Sequence, residues 1–457
     1  MTIEAPLDAA VVPATPNNLL TSPILPTLLK LAIPNIVAML GTALVAVAET
    51  SYIGRLGIEP LAAIALVFPF TMLTQMMSAG AMGGGVSSAI SRALGAGNRE
   101  RAAVLALHAA IIGSCGGIFF TVTMLLFGQH FFELLGGRGG VLEEACNYSR
   151  VLFSGAVAIW LVNTLASVLR GTGDMRTPSA TIVGVAIIQV VLGGTLGLGL
   201  AGLPQFGMAG VAAGQLIAFS IGTMFLLWYL ISGRSGLTLN FGTFTFQRGM
   251  FFDILKVGAI ACLSPLQSVL TILIFTKILA TFGTETLAGY GIGSRLEFLL
   301  IPIAFAFGVS SVPMVGMAIG AGLVSRARRV AWTAGAASGL SVGLVGIIVA
   351  LKPSMWVALF TNDPGVTAAA YAYFTWAGPA FGFFGLGLCL YFASQGAAKV
   401  GGPVLASTIR LLMVAIGGWW LASTGAPAWT LFALVGAAMI VFGLSTAASV
   451  RLTHWGK

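Results

Sequence analysis

The chain has 457 residues, of which 58% are hydrophobic and only 8% are charged, and its mean hydropathy is +1.00. A soluble globular protein carries roughly 25% charged residues, so this composition excludes that class and indicates a membrane protein. The apolar runs are long and unbroken, which favours membrane-spanning helices over a β-barrel. The net charge of +9 comes from basic residues in short loops between apolar runs; it therefore bears on orientation, and no nucleic-acid partner is expected.

Long apolar segments make up most of the chain, and a membrane span needs about 20 residues. Twelve segments meet this length, so the predicted fold class is an all-α membrane protein with twelve transmembrane helices. The predicted spans cover about 28–53, 60–90, 102–127, 151–169, a fifth that opens at Pro178, then 207–230, 257–280, 287–317, 330–351, 366–393, 403–422 and 429–451. The polar segment 1–27 is predicted to be a disordered tail. The polar stretch 232–249 is predicted to link an N-lobe (28–231) to a C-lobe (250–457).

The two halves of the chain resemble each other. Four landmarks recur in the second half after 225 or 226 residues, namely Gly57 with Gly283, Gly95 with Gly320, Gly171 with Gly396, and Pro178 with Pro403. Six spans in each half return the chain to its starting side, so the lobes are predicted to share one topology and to be related by an axis along the membrane normal. Transporters built this way bind substrate between the repeats near the midplane. We expect Gly171 and Gly396 to have a structural or gating role; an old duplication without transport activity is the alternative.

Basic residues fall mainly in the loops on one side of the predicted membrane. That side carries Arg92, Arg99, Arg101, Arg170, Arg176, Arg234, Arg248, Lys256, Arg326, Arg328, Arg329 and Lys399, whereas the other carries chiefly Arg55, Arg138, Arg150 and Lys352. By the positive-inside rule, the first side is cytoplasmic. Both termini are therefore predicted to be cytoplasmic.

One carboxylate, Glu49, lies inside the first span about one helical turn before its polar end. An ionisable side chain within a span costs about 2.5–3.5 kcal/mol on insertion scales and is a functional candidate for that reason. Glu49 is therefore predicted to be the ion-coupling residue, and Pro34 in the same span could allow the helix to bend. The alternative is that Glu49 lies near enough to the surface to be hydrated and merely ends the helix.

Several other polar side chains lie within predicted spans. The candidates for substrate binding are Gln75, Asn163, Gln189, Gln267 and Glu297. Gln75 and Gln267 could equally form hydrogen bonds between helices. Arg295 and Glu297 are two positions apart and do not share a helix face, so each is expected to have a different partner, and Arg295 is given a structural or gating role. Arg410 is expected to extend its charged end toward the membrane interface.

Some short stretches resemble a known family. They are the first-span acid followed by Gly54-Arg55-Leu56-Gly57, the turn Leu94-Gly95-Ala96-Gly97-Asn98, and Arg170-Gly171 followed by Gly173-Asp174. With the twelve-span repeat, they resemble bacterial multidrug and toxic compound extrusion (MATE) transporters over the whole chain beyond the tail. The resemblance implies export of cationic, amphipathic compounds in exchange for H⁺ or Na⁺ across a bacterial inner membrane. We expect a monomer in the lipid bilayer with small-molecule cationic substrates and no cofactor other than the coupling ion.

The chain departs from this family at two positions that bear on the coupling ion. Glu49 stands where the family carries its first-span acid, and Asn163 and Gln189 stand about where it has polar residues lining the N-lobe. Gly193 stands where some members have a second acid, and Gln267 where others have a glutamate. One carboxylate suffices to carry a proton, whereas Na⁺ is a hard cation that prefers several oxygen ligands. H⁺ is therefore favoured over Na⁺.

Three other functions fit the sequence less well than cation export. A flippase for lipid-linked oligosaccharides, from the same wider superfamily, would need several cationic side chains in its central cavity, and Arg295 and Arg410 are few for that purpose. A passive channel fits a buried acid within a repeat less well than a coupled carrier does. An intramembrane enzyme is disfavoured because His108, His130 and His454 show neither catalytic nor metal-binding spacing.

Overall fold

The computed structural model describes residues 18–237, 239 and 245–456, and the regular secondary structure within them is helical. The first half contains α1 (Asn18–Thr21), α2 (Ile24–Leu56), α3 (Ile58–Gln75), a π-helical segment (Met76–Met82), α4 (Gly83–Gly95), α5 (Arg99–Leu134), α6 (Gly139–Ser154), α7 (Ala156–Thr172), α8 (Arg176–Leu198) and α9 (Gly207–Ile231). The second half contains α10 (Arg248–Ala261), α11 (Leu263–Leu279), a 3₁₀ turn (Ala280–Phe282), α12 (Thr284–Gly320), α13 (Val324–Leu351), α14 (Ser354–Val357), α15 (Pro364–Ala377), a second 3₁₀ turn (Gly378–Ala380), α16 (Phe381–Gly396), α17 (Gly401–Ser423) and α18 (Trp429–Leu452).

The number of membrane spans agrees with the prediction. Within the described residues, eleven helical segments are long and apolar enough to cross a membrane, and α6 with α7 supply a twelfth if this pair, bent by 50°, is counted as one span. The helices are longer than the predicted spans because their ends lie outside the hydrocarbon part of the membrane. The 33 residues of α2, for example, measure roughly 50 Å at 1.5 Å per residue, against about 30 Å of hydrocarbon. The all-α, twelve-span fold is confirmed.

The internal repeat is visible helix by helix. The segment Ile58–Gly95 corresponds to Thr284–Gly320, and α8 corresponds to α17, at the offset predicted from the landmarks. The correspondence is not exact in local geometry. The first copy is interrupted by a π-helical segment, whereas α12 runs without a break through Pro302 and Pro313. The two repeats therefore share the path of the chain, while the local helix geometry differs between the lobes.

The packing places α10 with the first lobe, although the sequence assigns it to the second. Ile254 of this helix lies in the buried cluster formed mainly by the N-lobe. The Asp253 carboxylate contacts Arg92 at 2.8 Å and Arg101 at 3.1 Å. Residue 250 is thus the boundary between the two repeats in the sequence, whereas α10 packs against the N-lobe and connects the two lobes.

The predicted disordered tail is wrong for its last ten residues. Residues 18–27 are largely helical, and Leu19 is buried beside α12 and α13. Arg326 of α13 donates hydrogen bonds from Nη2 to the carbonyl oxygens of Leu19 at 3.0 Å and Ser22 at 2.6 Å. The buried Leu19 side chain and these hydrogen bonds fix this stretch to the C-lobe. Residues 1–17 of the predicted tail lie outside the described residues.

The predicted linker contains no regular element in the part that the structure describes before Arg248, where α10 begins. Its positions 238 and 240–244 lie outside the described residues. The end of the linker is fixed to the N-lobe, because the Gln247 backbone N–H donates to His108 Nε2 of α5 at 2.9 Å. The second bond of that imidazole, from Nδ1 to the Val104 carbonyl oxygen at 2.8 Å, fixes the orientation of the ring.

The two lobes meet closely at the end of the molecule that carries the basic loops. Here α4 packs against α12, and the Ser88 hydroxyl donates to the Gln395 carbonyl oxygen at the end of α16. Small residues permit this approach. A Cβ atom at Gly95 would clash with the Met317 carbonyl oxygen of the other lobe, and one at Gly320 would clash with that of Arg92. Within each lobe, a Cβ atom at Gly171 would lie 3.0 Å from the Ser87 carbonyl oxygen, and one at Gly396 would lie 2.7 Å from that of Val312. The repeated glycines predicted to be structural therefore stand at equivalent helix crossings in the two lobes.

Candidate functional site

The N-lobe holds Glu49 in a polar cluster between α2 and α8. Gln189 of α8 donates a hydrogen bond from Nε2 to Glu49 Oε1 at 2.6 Å. Gln189 is buried and Glu49 is half-buried. Among the residues that the structure describes, no Lys, Arg or His forms an ion pair with Glu49. The two residues that the sequence singled out in spans one and five are thus brought together, and an amide donor, not a cation, faces the carboxylate.

Tyr52 completes this cluster and explains the glycine at position 193. Residues 49 and 52 are three apart on α2 and so share a helix face. The Tyr52 hydroxyl lies close to the Glu49 carboxylate. A Cβ atom at Gly193 would lie 2.8 Å from this hydroxyl. The phenol therefore occupies the space that a second acid at this position would need.

A further pair of polar residues, which the sequence analysis missed, lies deeper in the N-lobe. Buried Tyr148 of α6 donates from its hydroxyl to Gln215 Oε1 of α9 at 2.9 Å. Tyr148 is also an electrostatic neighbour of Glu49 and Tyr52. A single tyrosine and a single glutamine in apolar spans resemble ordinary packing residues, and only their meeting across helices distinguishes them.

Asn163 and Gln75 meet each other in the N-lobe, but the structure records no hydrogen bond from either to Gln189. Asn163 Nδ2 of α7 donates to Gln75 Oε1 at 2.9 Å and to Ser78 Oγ at 2.8 Å. Ser78 belongs to the π-helical segment, where the widened turn interrupts the helical ladder. The interhelical alternative for Gln75 is therefore realised. Gln75 also lines a small cavity of about 10 Å³ with Gln215, which connects this group to Tyr148.

In the C-lobe, Gln267 also takes the interhelical role that was left open for it. Its Nε2 donates to Thr408 Oγ1 of α17 at 2.7 Å, while its Oε1 is buried without a hydrogen-bond partner. An unpaired buried amide oxygen is costly. The amide nitrogen of Gln267 thus links α11 to α17, and its amide oxygen remains free to accept a hydrogen bond.

A cavity of about 90 Å³ lies in the C-lobe. It contains both Glu297 of α12 and Arg410 of α17, together with the Tyr290 ring. The prediction that Arg410 extends to the interface is wrong. Its guanidinium carbon lies 5.1 Å from the centre of the Phe384 ring and 5.8 Å from that of Phe442, and these rings retain it inside the lobe by cation–π attraction.

Arg295 lies away from this cavity. It is exposed, and its guanidinium carbon lies 5.2 Å from the centre of the Phe360 ring, beyond the end of α13. Arg295 and Glu297 therefore have different surroundings, as their spacing on the helix predicted. The structure supports a packing role for Arg295 at the helix surface and gives it no contact with the candidate site.

Asn35 is a buried contact between lobes that the sequence analysis missed. It follows Pro34 in α2, which continues through the proline as one helix. Its Oδ1 accepts from Ser179 of α8 at 3.2 Å, and its Nδ2 lies 3.4 Å from Ser310 Oγ of α12. α2 therefore carries the coupling candidate in the half that ends at Leu56 and a polar link to both lobes beside Pro34.

A family model and several known proteins resemble this chain. The model named MatE matches residues 34–195 and 261–420, two segments that begin 227 residues apart and end 225 apart. A protein of Shewanella oneidensis named FAD transporter is 27% identical over 355 residues, which cover 77% of each chain. The probable multidrug resistance protein NorM of Thermotoga maritima is 27% identical over 340 residues, 74% of this chain and 73% of that protein.

Solved structures share the fold. A transporter of the MOP superfamily from Pyrococcus furiosus, described as having a binding pocket of reverse polarity that suggests a different function, superposes with a TM-score of 0.88. The two chains are 24% identical, and the superposition covers 96% of this chain and 98% of that one. The two-lobe architecture is therefore a known one.

Proposed function

This chain belongs to the MatE family, whose members are secondary transporters and not enzymes, and on that premise we propose that it exports cationic amphipathic compounds in exchange for H⁺. The proposal places it in a bacterial inner membrane with both termini cytoplasmic. It acts as a monomer whose two lobes alternate between access to the exterior and access to the cytoplasm.

The observation that carries the proposal is the contact between Glu49 and Gln189. A carboxylate in an apolar lobe is costly to keep charged unless a cation or several donors compensate it. Here one amide donor faces it at 2.6 Å. A proton or a cationic substrate would each complete the compensation, and the two would therefore compete for the same carboxylate. This competition is what an exchanger requires, because binding one partner releases the other.

The lobe contacts support a route by which occupancy of this carboxylate reaches the rest of the molecule. Glu49 and Asn35 lie on the same helix, α2, on opposite sides of its midpoint. Asn35 contacts Ser179 of the N-lobe and Ser310 of the C-lobe. A change in the path of α2, permitted by Pro34, would alter these contacts. The lobes are closed at the end with the basic loops, so under the proposed orientation this structure faces the exterior.

The choice of substrate rests on the charge of the polar side chains in the N-lobe and on the relatives. The residues around Glu49 are acidic or neutral, which suits a cation in a site of low dielectric constant. The T. maritima relative carries the name of a multidrug resistance protein, whereas the S. oneidensis relative is named for FAD. A flippase for lipid-linked oligosaccharides would need several cations in the cavity. Arg410 is a cation lining the C-lobe cavity, and Arg295 is exposed elsewhere.

The test uses the purified full chain in proteoliposomes under separate pH and Na⁺ gradients. We expect a cationic dye to move against its gradient when only a pH gradient is imposed. Stimulation by a Na⁺ gradient at constant pH would overturn the choice of ion. Movement of anionic lipid-linked sugars without movement of the dye would replace cation export by the flippase function.

A further inference from the structure

We propose that the C-lobe cavity binds small zwitterionic compounds, with Arg410 receiving a carboxylate and Glu297 receiving an ammonium group. This inference rests on the proposed transport function and names a second substrate class, bound at a site separate from Glu49. It deepens the proposal because a lobe that holds both signs of charge can accept compounds that a purely acidic site would repel.

Arg410 lines one side of the cavity, and its hydrogen-bond donors suit an anion. Phe384 and Phe442 flank the guanidinium, and a guanidinium carries five N–H donors. Among the described residues, no carboxylate forms an ion pair with Arg410, and no hydrogen bond is recorded for it. The aromatic rings hold the plane of the group and supply no acceptor for its donors. A bidentate carboxylate is the ligand whose geometry matches a planar guanidinium.

The glutamate side of the cavity is equally incomplete. Glu297 Oε1 is buried without a hydrogen-bond partner. Glu297 and Ser294 are three residues apart and both line the cavity, so one face of α12 presents an acceptor and a hydroxyl to the same space. An ammonium group has three donors and could bond both.

The two charges share one cavity but do not neutralise each other by contact. An ion pair requires a nitrogen–oxygen distance of 4.0 Å or less, and none joins Glu297 to Arg410. The two charges attract each other across the cavity, but neither gains a hydrogen-bonded partner from this attraction, and a buried charge without such a partner is costly. A ligand with one charge of each sign would compensate both side chains at once, whereas a simple cation would compensate Glu297 and oppose Arg410.

The charge pair is a property of the C-lobe and not of the repeat. Counting back 225 residues from Arg410 and Glu297 leads to Val185 and Met72 in the N-lobe. Met72 itself, with Met76, lines the C-lobe cavity from the other lobe. Methionine side chains are flexible and adapt to different shapes. The cavity therefore borders the region between the lobes, where a change in lobe position would alter access to it.

The experiment compares two probes that differ only in the carboxylate. 4-Aminobutanoate carries both charges, and its methyl ester keeps the ammonium group alone. Both probes are small and flexible, and the cavity proposed to receive them has a volume of about 90 Å³. Binding to the purified full chain is measured by isothermal titration calorimetry, without any ion gradient.

We expect the unmodified protein to bind 4-aminobutanoate more tightly than its ester, by on the order of tenfold, the size of one charge-assisted hydrogen-bonded contact. Arg410→Gln should abolish this preference, and Glu297→Gln should weaken binding of both probes. Arg295→Gln and Glu285→Gln change exposed residues of the same helix and serve as matched controls that should leave both affinities unchanged.

Equal affinity for the two probes in the unmodified protein, or a preference that survives Arg410→Gln, would overturn the proposal. Arg410→Lys keeps the charge and should retain part of the preference, so a folding defect in Arg410→Gln would not remove the test. Dye export driven by a pH gradient without any preference for the zwitterion would contradict this inference alone. Zwitterion binding without gradient-driven export would contradict the proposed transport function alone.

Discussion

Replacing Asn35 by leucine tests whether the α2 contact holds the lobes together at the end with the basic loops. Leucine has a similar size and cannot hydrogen-bond. Asn35 is 2% exposed and joins Ser179 to Ser310. The 3.4 Å contact with Ser310 is the part that crosses between lobes, and its length places its contribution at the low end of the usual range, about 0.5 kcal/mol. We therefore expect the closed-to-open ratio at this end to fall by roughly twofold.

The assay measures the distance between spin labels at Glu100 and Ser325, which are exposed at the equivalent ends of α5 and α13. The four free cysteines are first replaced by alanine to give a labelling background. Double electron–electron resonance in nanodiscs should show a larger population at long distances in the Asn35→Leu protein. Asn147→Leu changes an exposed asparagine and is the matched control. A distance distribution identical to that of the parent protein would refute a holding role for Asn35.

Two further substitutions test the packing at the same end of the molecule. Gly396→Ala would place a Cβ atom 2.7 Å from the Val312 carbonyl oxygen and should lower stability by about 1–3 kcal/mol; Gly401→Ala, whose Cβ meets nothing within 4 Å, should be neutral in the same thermal unfolding assay. Asp253→Asn weakens the contact with partly buried Arg92 and should loosen α10, seen as faster hydrogen–deuterium exchange over 248–261. Unchanged exchange there would contradict a stabilising role for this ion pair.

The spans and the repeat could be predicted because both depend on local sequence. Long apolar runs fix the number of membrane crossings, and recurring glycines and prolines mark equivalent turns. Glu49 could be found because an acid in an apolar run is costly wherever its helix packs. From the sequence, Glu49 and Gln189 could be assigned only to the same lobe. Their hydrogen bond could not be predicted, since it depends on how α2 and α8 are rotated about their axes.

The position of Arg410 could not be predicted from its own helix. The rings that hold it come from the two neighbouring helices, α16 and α18, and their packing around α17 cannot be read from the α17 sequence, so the simpler expectation of an interfacial arginine was wrong. Asn35 and Tyr148 were missed for a similar reason, because a single polar residue in a span resembles any other packing residue until its partner is known. The tail prediction failed at Leu19, where a short apolar stretch finds burial against α12 and α13.

The most direct test of the account is gradient-driven transport by the Glu49→Gln protein in proteoliposomes. Glutamine keeps the size of the side chain but cannot exchange a proton. We expect dye binding to weaken but to remain measurable, while dye movement driven by a pH gradient is lost; Glu100→Gln, which changes an exposed residue, should transport like the unmodified protein. Gradient-driven export by Glu49→Gln at the unmodified rate would contradict the claim that Glu49 couples proton entry to export.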